Sequence, residues 1–384
     1  MVKRKRIALI YRFNYDFSAG VVIYIQNLIK GFKLLDDDFR PEITIIYSKG
    51  TPIQEIKEIE YPYIKFYLYK PLRSTLFSKV INRLSELCFN VKLWKRYSFP
   101  RNIDIIYPFF DCPETISIKN RYYWKPDFQE MYYPEYVSTV EYEYVISNMK
   151  KIAENERYNL VVSSEDSLND YKKFFGPYEN TTHVLRFVSI IPDLSELDKE
   201  GLLHKYDINK KYFMVSNQFW PHKNHLLVLQ AINLLKEKQH NFVIVFSGKQ
   251  SSYRDEQYFS KLQVYINENN LKEYVKFIGF IPREEQLILM KNSLAVIQPS
   301  MFEGWSTIIE DCKALNQFVI SSDLSVNFEQ IQENCIFFDR YSAEALAKHL
   351  NDLLLNSPEI KPINYDTNID QFKKDLMSIF KLGV

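Results

Sequence analysis

The chain has 384 residues, long enough for two domains of ordinary size. Its 49 Lys and Arg against 48 Asp and Glu leave a formal charge of +1, so no global argument for nucleic acid or an acidic partner exists. Hydrophobic residues at 46% and charged residues at 25% fit a soluble globular protein, and no stretch approaches the roughly 20 apolar residues that span a bilayer. Cys88, Cys112, Cys312 and Cys335 are scattered with no C-x-x-C pair, which reads as four reduced thiols in a cytoplasmic protein. The apolar run after the basic N-terminus is too short for a signal peptide, so any membrane contact is expected to be peripheral.

The first half alternates strand and helix. Arg6–Phe13 reads as a strand, Asn14–Gly20 as a polar loop and Val21–Phe32 as an amphipathic helix. Gly20 is the one glycine of that loop, so the G-x-G-x-x-G dinucleotide fingerprint is absent. Asp36-Asp37-Asp38 has the look of a metal motif, but between a helix and the strand Glu42–Tyr47 it reads as a solvated connection. Tyr63–Tyr69 is another strand. Residues 72–99 follow with helical spacing, and Arg73, Lys79, Arg83, Lys92, Lys95 and Arg96 face a single Glu86. Such a stretch with Trp94 suits either an anionic lipid surface or a domain helix with a charged outer face.

Ile103–Tyr107 is a buried strand. Tyr122–Tyr133 is dense in aromatics, with Asp127, Gln129 and Glu130 interspersed. Aromatic faces suit sugar rings and Asp127 suits a hydroxyl, while core packing is the plain alternative for the rings. A helix over Glu135–Tyr158, a strand over Asn159–Ser164, a helix over Glu165–Phe175 and a strand over His183–Val188 complete a doubly wound parallel unit. Ser189–Lys211, with Pro192 and many charges, is the linker candidate.

Alternation then restarts. Tyr212–Asn217 is a strand, followed by the loop Gln218-Phe219-Trp220-Pro221-His222-Lys223 and a helix over Asn224–Lys238. Asn241–Ser247 is a strand ended by Gly248-Lys249. Glu256–Asn269 is a helix, Val275–Gly279 a strand and Arg283–Asn292 a helix. His222 and His225 have no third ligand nearby, so no metal site is expected. The most informative stretch is Ile297–Asn316, reading IQPSMFEGWSTIIEDCKALN. The strand ends in Gln298-Pro299-Ser300, a loop carries Glu303 and Gly304, and an amphipathic helix opens near Ser306 or Thr307. Thr307 with Glu310 fits a capping box, and Asn316 fits the helix C-terminus. A helix N-terminus at a strand's carboxyl edge offers unpaired N–H groups to a phosphate. Carboxylates beside it accept hydrogen bonds from sugar and ribose hydroxyls, which suggests a nucleotide-sugar. The plain reading is a cap at Glu310, a dipole contact at Asp311 and a solvated Glu303.

The segment FEGWSTIIED resembles the signature of the GT-B glycosyltransferases of family 4, in which two acids are separated by seven residues. From Glu303 the matching second acid is Asp311, where the family usually has Glu; Glu310 is the other candidate for the ribose contact. The loop SNQFWPHKN resembles the family's diphosphate loop, with Lys223 at the lysine and Gln218 where an arginine would stand. Lys249 is a further candidate cation. The first loop at Gly20 resembles the family's loop near donor phosphates and acceptor. Residues 278–283 resemble its base-binding loop, which places Phe280 and Ile281 beside the nucleobase and Gly248 close by. The segment W-x-P-D-F-Q at Trp124–Gln129 resembles the acceptor side of one branch.

The resemblance implies an α/β GT-B architecture of two Rossmann-like doubly wound parallel-sheet domains facing across a cleft. Its expected domains are residues 1–190 on the acceptor side and 191–365 for the nucleotide-sugar, with a terminal helix over 366–384 that often crosses back. It implies a retaining, metal-independent transferase with no cofactor. Such an enzyme moves a sugar from a nucleotide diphosphate sugar to a glycan or lipid-linked acceptor in surface polysaccharide assembly. Glu303 would hold the donor sugar, and Lys223 with Ser306 and Thr307 the diphosphate. Asp127 would face the acceptor, and the basic stretch 72–99 the inner face of a membrane. An epimerase of the same fold and a non-catalytic binding or scaffold protein are the competing expectations.

Overall fold

The structure is a computed structural model that describes residues 4–11, 15–70, 75–89, 93–94, 98–108, 118–238, 240–251 and 255–383; the side chains of residues 15–21, 86 and 89 lie outside the description. The first domain runs β1 (Arg6–Tyr11), α1 (Tyr15–Lys33), β2 (Glu42–Tyr47), α2 (Gln54–Glu58), β3 (Ile64–Leu68), α3 (Leu76–Phe89) and β4 (Ile105–Tyr107). It continues through β5 (Asn120–Trp124), α4 (Gln129–Tyr132), α5 (Thr139–Ala153), β6 (Tyr158–Val162), α6 (Glu165–Phe175) and β7 (Thr181–Val184). Among the described residues seven strands pair in parallel in the order β3-β2-β1-β4-β5-β6-β7. Ile7, Ala8, Leu9 and Ile10 of β1 are buried in succession, because helices cover both faces of a parallel sheet.

The second domain runs α7 (Lys199–Lys205), β8 (Lys211–Ser216), α8 (His225–Leu235), β9 (Phe242–Ser247), α9 (Tyr258–Glu268), β10 (Val275–Gly279) and α10 (Arg283–Asn292). It continues through β11 (Val296–Gln298), α11 (Thr307–Leu315), β12 (Val319–Ser322), α12 (Ser325–Gln330), β13 (Cys335–Phe338), α13 (Ala343–Leu355) and α14 (Asp366–Ile379). Among its described residues six strands are parallel in the order β10-β9-β8-β11-β12-β13. The order reverses direction beside β8 and β11, and the loops after such a switch point form a crevice at the carboxyl ends of the strands.

Several local expectations shift. Helix α1 begins at Tyr15, so Gly20 lies inside a helix rather than in the expected polar loop; residues 12–14 fall outside the description. The aromatic stretch opens with β5, because Tyr122 and Tyr123 face opposite sides of the sheet and both are buried. Helix α3 ends at Phe89, ten residues before the end of the basic stretch. Asp37 is taken by Arg4 at 2.6 Å and by the Tyr63 hydroxyl at 2.8 Å.

Helix α14 packs on α1 of the first domain, and the Tyr122 hydroxyl donates to the Ile379 carbonyl at 2.8 Å. Phe380 then sits among Phe32, Tyr107 and Tyr122. A second tie lies at the mouth of α6. Glu329, from α12, accepts from the backbone N–H of Glu165 at 3.0 Å and of Asp166 at 3.1 Å. A carboxylate thus caps a helix of the other domain, where the dipole favours it. Arg186 holds the same carboxylate at 2.8 Å.

Burial, then the neighbouring Asp170 and Glu329 carboxylates, push Asp166 up to about 6. A carboxylate raised in the folded state costs stability above that value and costs nothing below its unfolded value near 3.8. Asp166→Asn should therefore raise the melting midpoint by on the order of 2 °C at pH 8 and leave it unchanged near pH 3.5. Differential scanning fluorimetry across that range checks the sign.

Candidate donor site at the start of helix α11

The loops after β8, β9, β10 and β11 leave the same edge of the second sheet. Gly248 has φ +145°, and a Cβ there would stand 2.1 Å from the Asn217 carbonyl, so only glycine lets the β8 and β9 loops close. Gln218 is used in that closure: its side-chain oxygen accepts from the Lys249 N–H at 3.1 Å. Gln218 therefore shapes the loop, and as a neutral amide it supplies no charge in the place of an arginine.

Pro221, His222 and Lys223 form a single tight turn ended by Asn224 in the left-handed region at φ 56°. The Met301 N–H donates to the His222 carbonyl at 2.8 Å, which fastens the β8 loop to the β11 loop. Lys223 Nζ then reaches Glu303 Oε1 at 2.5 Å. Gln298, fully buried at the end of β11, donates to the same Glu303 oxygen at 2.7 Å and to Ser306 Oγ at 3.1 Å. Asn217 donates in turn to Gln298 Oε1 at 3.0 Å. A buried amide chain thus orients the acid and the helix cap together. Asn217 and Gln298 were missed from the sequence. The signal was two polar residues closing apolar strands, one just after β8 and one at the end of β11.

Ser306 is the N-cap of α11, its Oγ accepting from the Ile309 N–H at 3.3 Å. Thr307 is the first helical residue and half-buried, so the expected Thr307–Glu310 box does not form. Glu310 is 1% exposed and takes Lys313 at 2.8 Å and Gln330 at 3.0 Å on one oxygen, and the Tyr365 hydroxyl on the other. Burial, and then Glu310, push the Tyr365 phenol far up, which keeps it a donor. Asp311 is also 1% exposed and takes Arg283 on both oxygens and the Ser189 hydroxyl. Both acids are thus paired inside the protein. The reason is burial: a carboxylate this deep must be paired.

Phe280 is 63% exposed at the tip of the β10 loop, while Ile281 points into the core. Gly20 lies on α1 of the first domain. Across the cleft, a Cβ on Gly304 would stand 2.6 Å from Asp127 Cβ and 2.7 Å from the Pro126 carbonyl. The first domain's aromatic segment therefore rests on the loop that carries Glu303. Tyr132 and Tyr133 pack on Phe302 at 5.6 Å and 6.2 Å between ring centres. The structure thus brings Lys223, Glu303, Ser306 and Thr307 to one corner with Asp127 facing them, and pairs Glu310 and Asp311 within the protein.

Residues 198–370 match the family model described as Glycosyl transferases group 1. That match takes in most of the second domain. Over 162 residues the chain is 25% identical to the O-antigen chain mannosyltransferase RfbU of Salmonella typhimurium, covering 41% of this chain. The match spans 43% of that curated relative's length. The whole fold is similar to Anabaena Alr3699/HepE in complex with UDP and glucose, with TM-score 0.66, 14% identity, and coverage of 98% of this chain and 95% of that one. It is also similar to a glycosyltransferase from Rickettsia africae, with TM-score 0.62, 15% identity, and coverage of 98% and 94%. These likenesses show a GT-B fold for the whole chain.

Gly304→Ala tests the seating of the two domains. The added methyl group has no room while Asp127 stays in place. The variant should have a larger radius of gyration by small-angle scattering and faster proteolysis at residues 125–137, with both sheets intact by circular dichroism.

Proposed function

We propose that the chain transfers a sugar, with retention, from a nucleotide diphosphate sugar to a glycan or lipid-linked acceptor, in the assembly of surface polysaccharide. The observation that carries this reading is the pair Lys223–Glu303 at 2.5 Å, beside the start of α11. A cation and a set of helix amides meet an anion there, and an acid beside them accepts from hydroxyls. As the glycosidic bond breaks, negative charge builds on the departing diphosphate. Lys223 leaves Glu303 for that charge, joined by the N–H group of Thr307 while the Ser306 N–H stays with Gln330, and no metal ion is needed for neutralisation. Glu303, released and still oriented by Gln298, accepts from the donor sugar's hydroxyls. A donor phosphate oxygen takes the acceptor's proton, and Asp127 positions the acceptor.

Neither Glu310 nor Asp311 is assigned to the ribose. Arg283 is the more exposed member of its pair, with 38% of its side chain accessible against 1% for Asp311. It can donate to ribose oxygens while Asp311 holds it. Phe280 is free to lie against a nucleobase. The group 1 domain, the O-antigen relative and the neighbour with UDP and glucose support the donor class.

Two measurements test this. First, one of UDP, GDP or dTDP should raise the melting midpoint of the wild-type chain by mass action, and Lys223→Ala should abolish that rise; no shift with any of them overturns the donor reading. Second, with the stabilising nucleotide's sugars, Glu303→Gln and Lys223→Ala should each lower turnover about tenfold or more, with folding intact and with EDTA present. Sugar converted in the absence of any acceptor would instead mark an epimerase.

A further inference from the structure

Helix α3 is built inside out. At 100° per residue, Leu76, Phe77, Val80, Leu84 and Leu87 share one face, and that face is turned to solvent. Leu76 is 82% exposed, Leu87 76% and Phe77 66%. The opposite face carries Ser78, Asn82 and Ser85, each at 5% exposure or less. An ordinary surface helix does the reverse.

The buried polar face has partners. Asn82 donates to the Trp94 carbonyl at 3.0 Å and accepts from the Trp94 N–H at 2.6 Å. Ser85 Oγ accepts from the Leu93 N–H at 3.4 Å. At the other end, Thr75 and Ser78 cap one another, N–H to hydroxyl in both directions, at 3.0 Å and 3.2 Å. The helix is thus held in this orientation by hydrogen bonds that a rolled helix would lose. The same bonds bring Leu93 and Trp94, 57% and 44% exposed, to the region, with Trp94 edge-on to Phe77 at 6.0 Å.

We propose that α3 and residues 93–94 form a docking surface for an anionic lipid bilayer. The face is long and convex, about 21 Å for fourteen residues at 1.5 Å each, rather than a groove for a peptide. Charge selects the occupant. Lys79 and Arg83 are exposed along one edge of the apolar stripe. From residue 65 to 101 the sequence has nine Lys and Arg against the single Glu86. A second copy docked stripe to stripe would set those cations against each other. A bilayer of negative headgroups instead takes the leucines into its acyl boundary and the cations at its surface, with Trp94 at headgroup level. This inference stands apart from the sugar-transfer reading, because vesicle binding is read without donor or acceptor.

Co-sedimentation of the full chain with sonicated vesicles tests it. The wild type should bind phosphatidylcholine vesicles containing 30% phosphatidylglycerol and bind neutral vesicles on the order of tenfold more weakly. Leu84→Ser with Leu87→Ser should weaken binding to anionic vesicles by on the order of tenfold with an unchanged melting midpoint, because both side chains are exposed. Lys79→Glu with Arg83→Glu should weaken it comparably and reduce its salt dependence. Wild-type binding equal to that of both double variants, or no binding to anionic vesicles, overturns the proposal. So does a concentration-dependent dimer in sedimentation velocity that the leucine variant abolishes while vesicle binding is absent.

Discussion

Helix α11 is fixed by two buried acids, Glu310 and Asp311. Glu310 is tied to Tyr365 and Gln330, and Asp311 to Arg283 and Ser189. Ser189 lies where the chain leaves the first domain, and Tyr365 where it turns back toward it. The Ser189 N–H also donates to the Tyr365 hydroxyl at 2.8 Å. One helix therefore anchors the outgoing strand of chain, the returning one and the start of α10. Breaking one partner of such a pair leaves an uncompensated buried charge, so the arrangement is rigid. Everything at the N-terminus of α11 inherits that rigidity.

Rigidity there is what an anion site requires. Backbone amides stabilise developing charge only if they need not reorganise when it appears. Gln330 completes the frame from α12, accepting from the Ser306 N–H at 3.0 Å and donating to its carbonyl at 2.8 Å. The same short helix supplies Glu329 to the mouth of α6. The element that braces the helix start thus also meets the other domain. Glu329 and Gln330, neighbours on α12, thus meet the other domain and the start of α11 side by side.

The outer surface of the first domain follows a different logic. Most of its helices bury apolar residues against the sheet, as Ile25, Leu28 and Phe32 of α1 do. Helix α3 instead uses serine and asparagine to grip its own return segment and leaves its leucines outside. Among the described residues no helix is long and apolar enough to cross a membrane. An apolar stripe of this kind reaches one leaflet at most.

Alternating runs of apolar strand and amphipathic helix were enough to read two doubly wound units, because parallel strands buried on both faces leave unmistakable apolar blocks. The corner of Lys223, Glu303 and Ser306 was also legible, since each lies one turn or loop beyond such a block. Three things were not. The pairing of Glu310 and Asp311 was hidden because their partners Arg283, Ser189 and Tyr365 lie 28, 122 and 55 residues away in sequence. The strand β5 was hidden in its aromatic stretch, because aromatics serve strand, core and sugar contact alike. The roll of α3 about its axis was invisible too. Periodicity shows that a helix has an apolar side and a polar side, but only the position of neighbouring chain, here Leu93 and Trp94 bonded to Ser85 and Asn82, decides which side faces in.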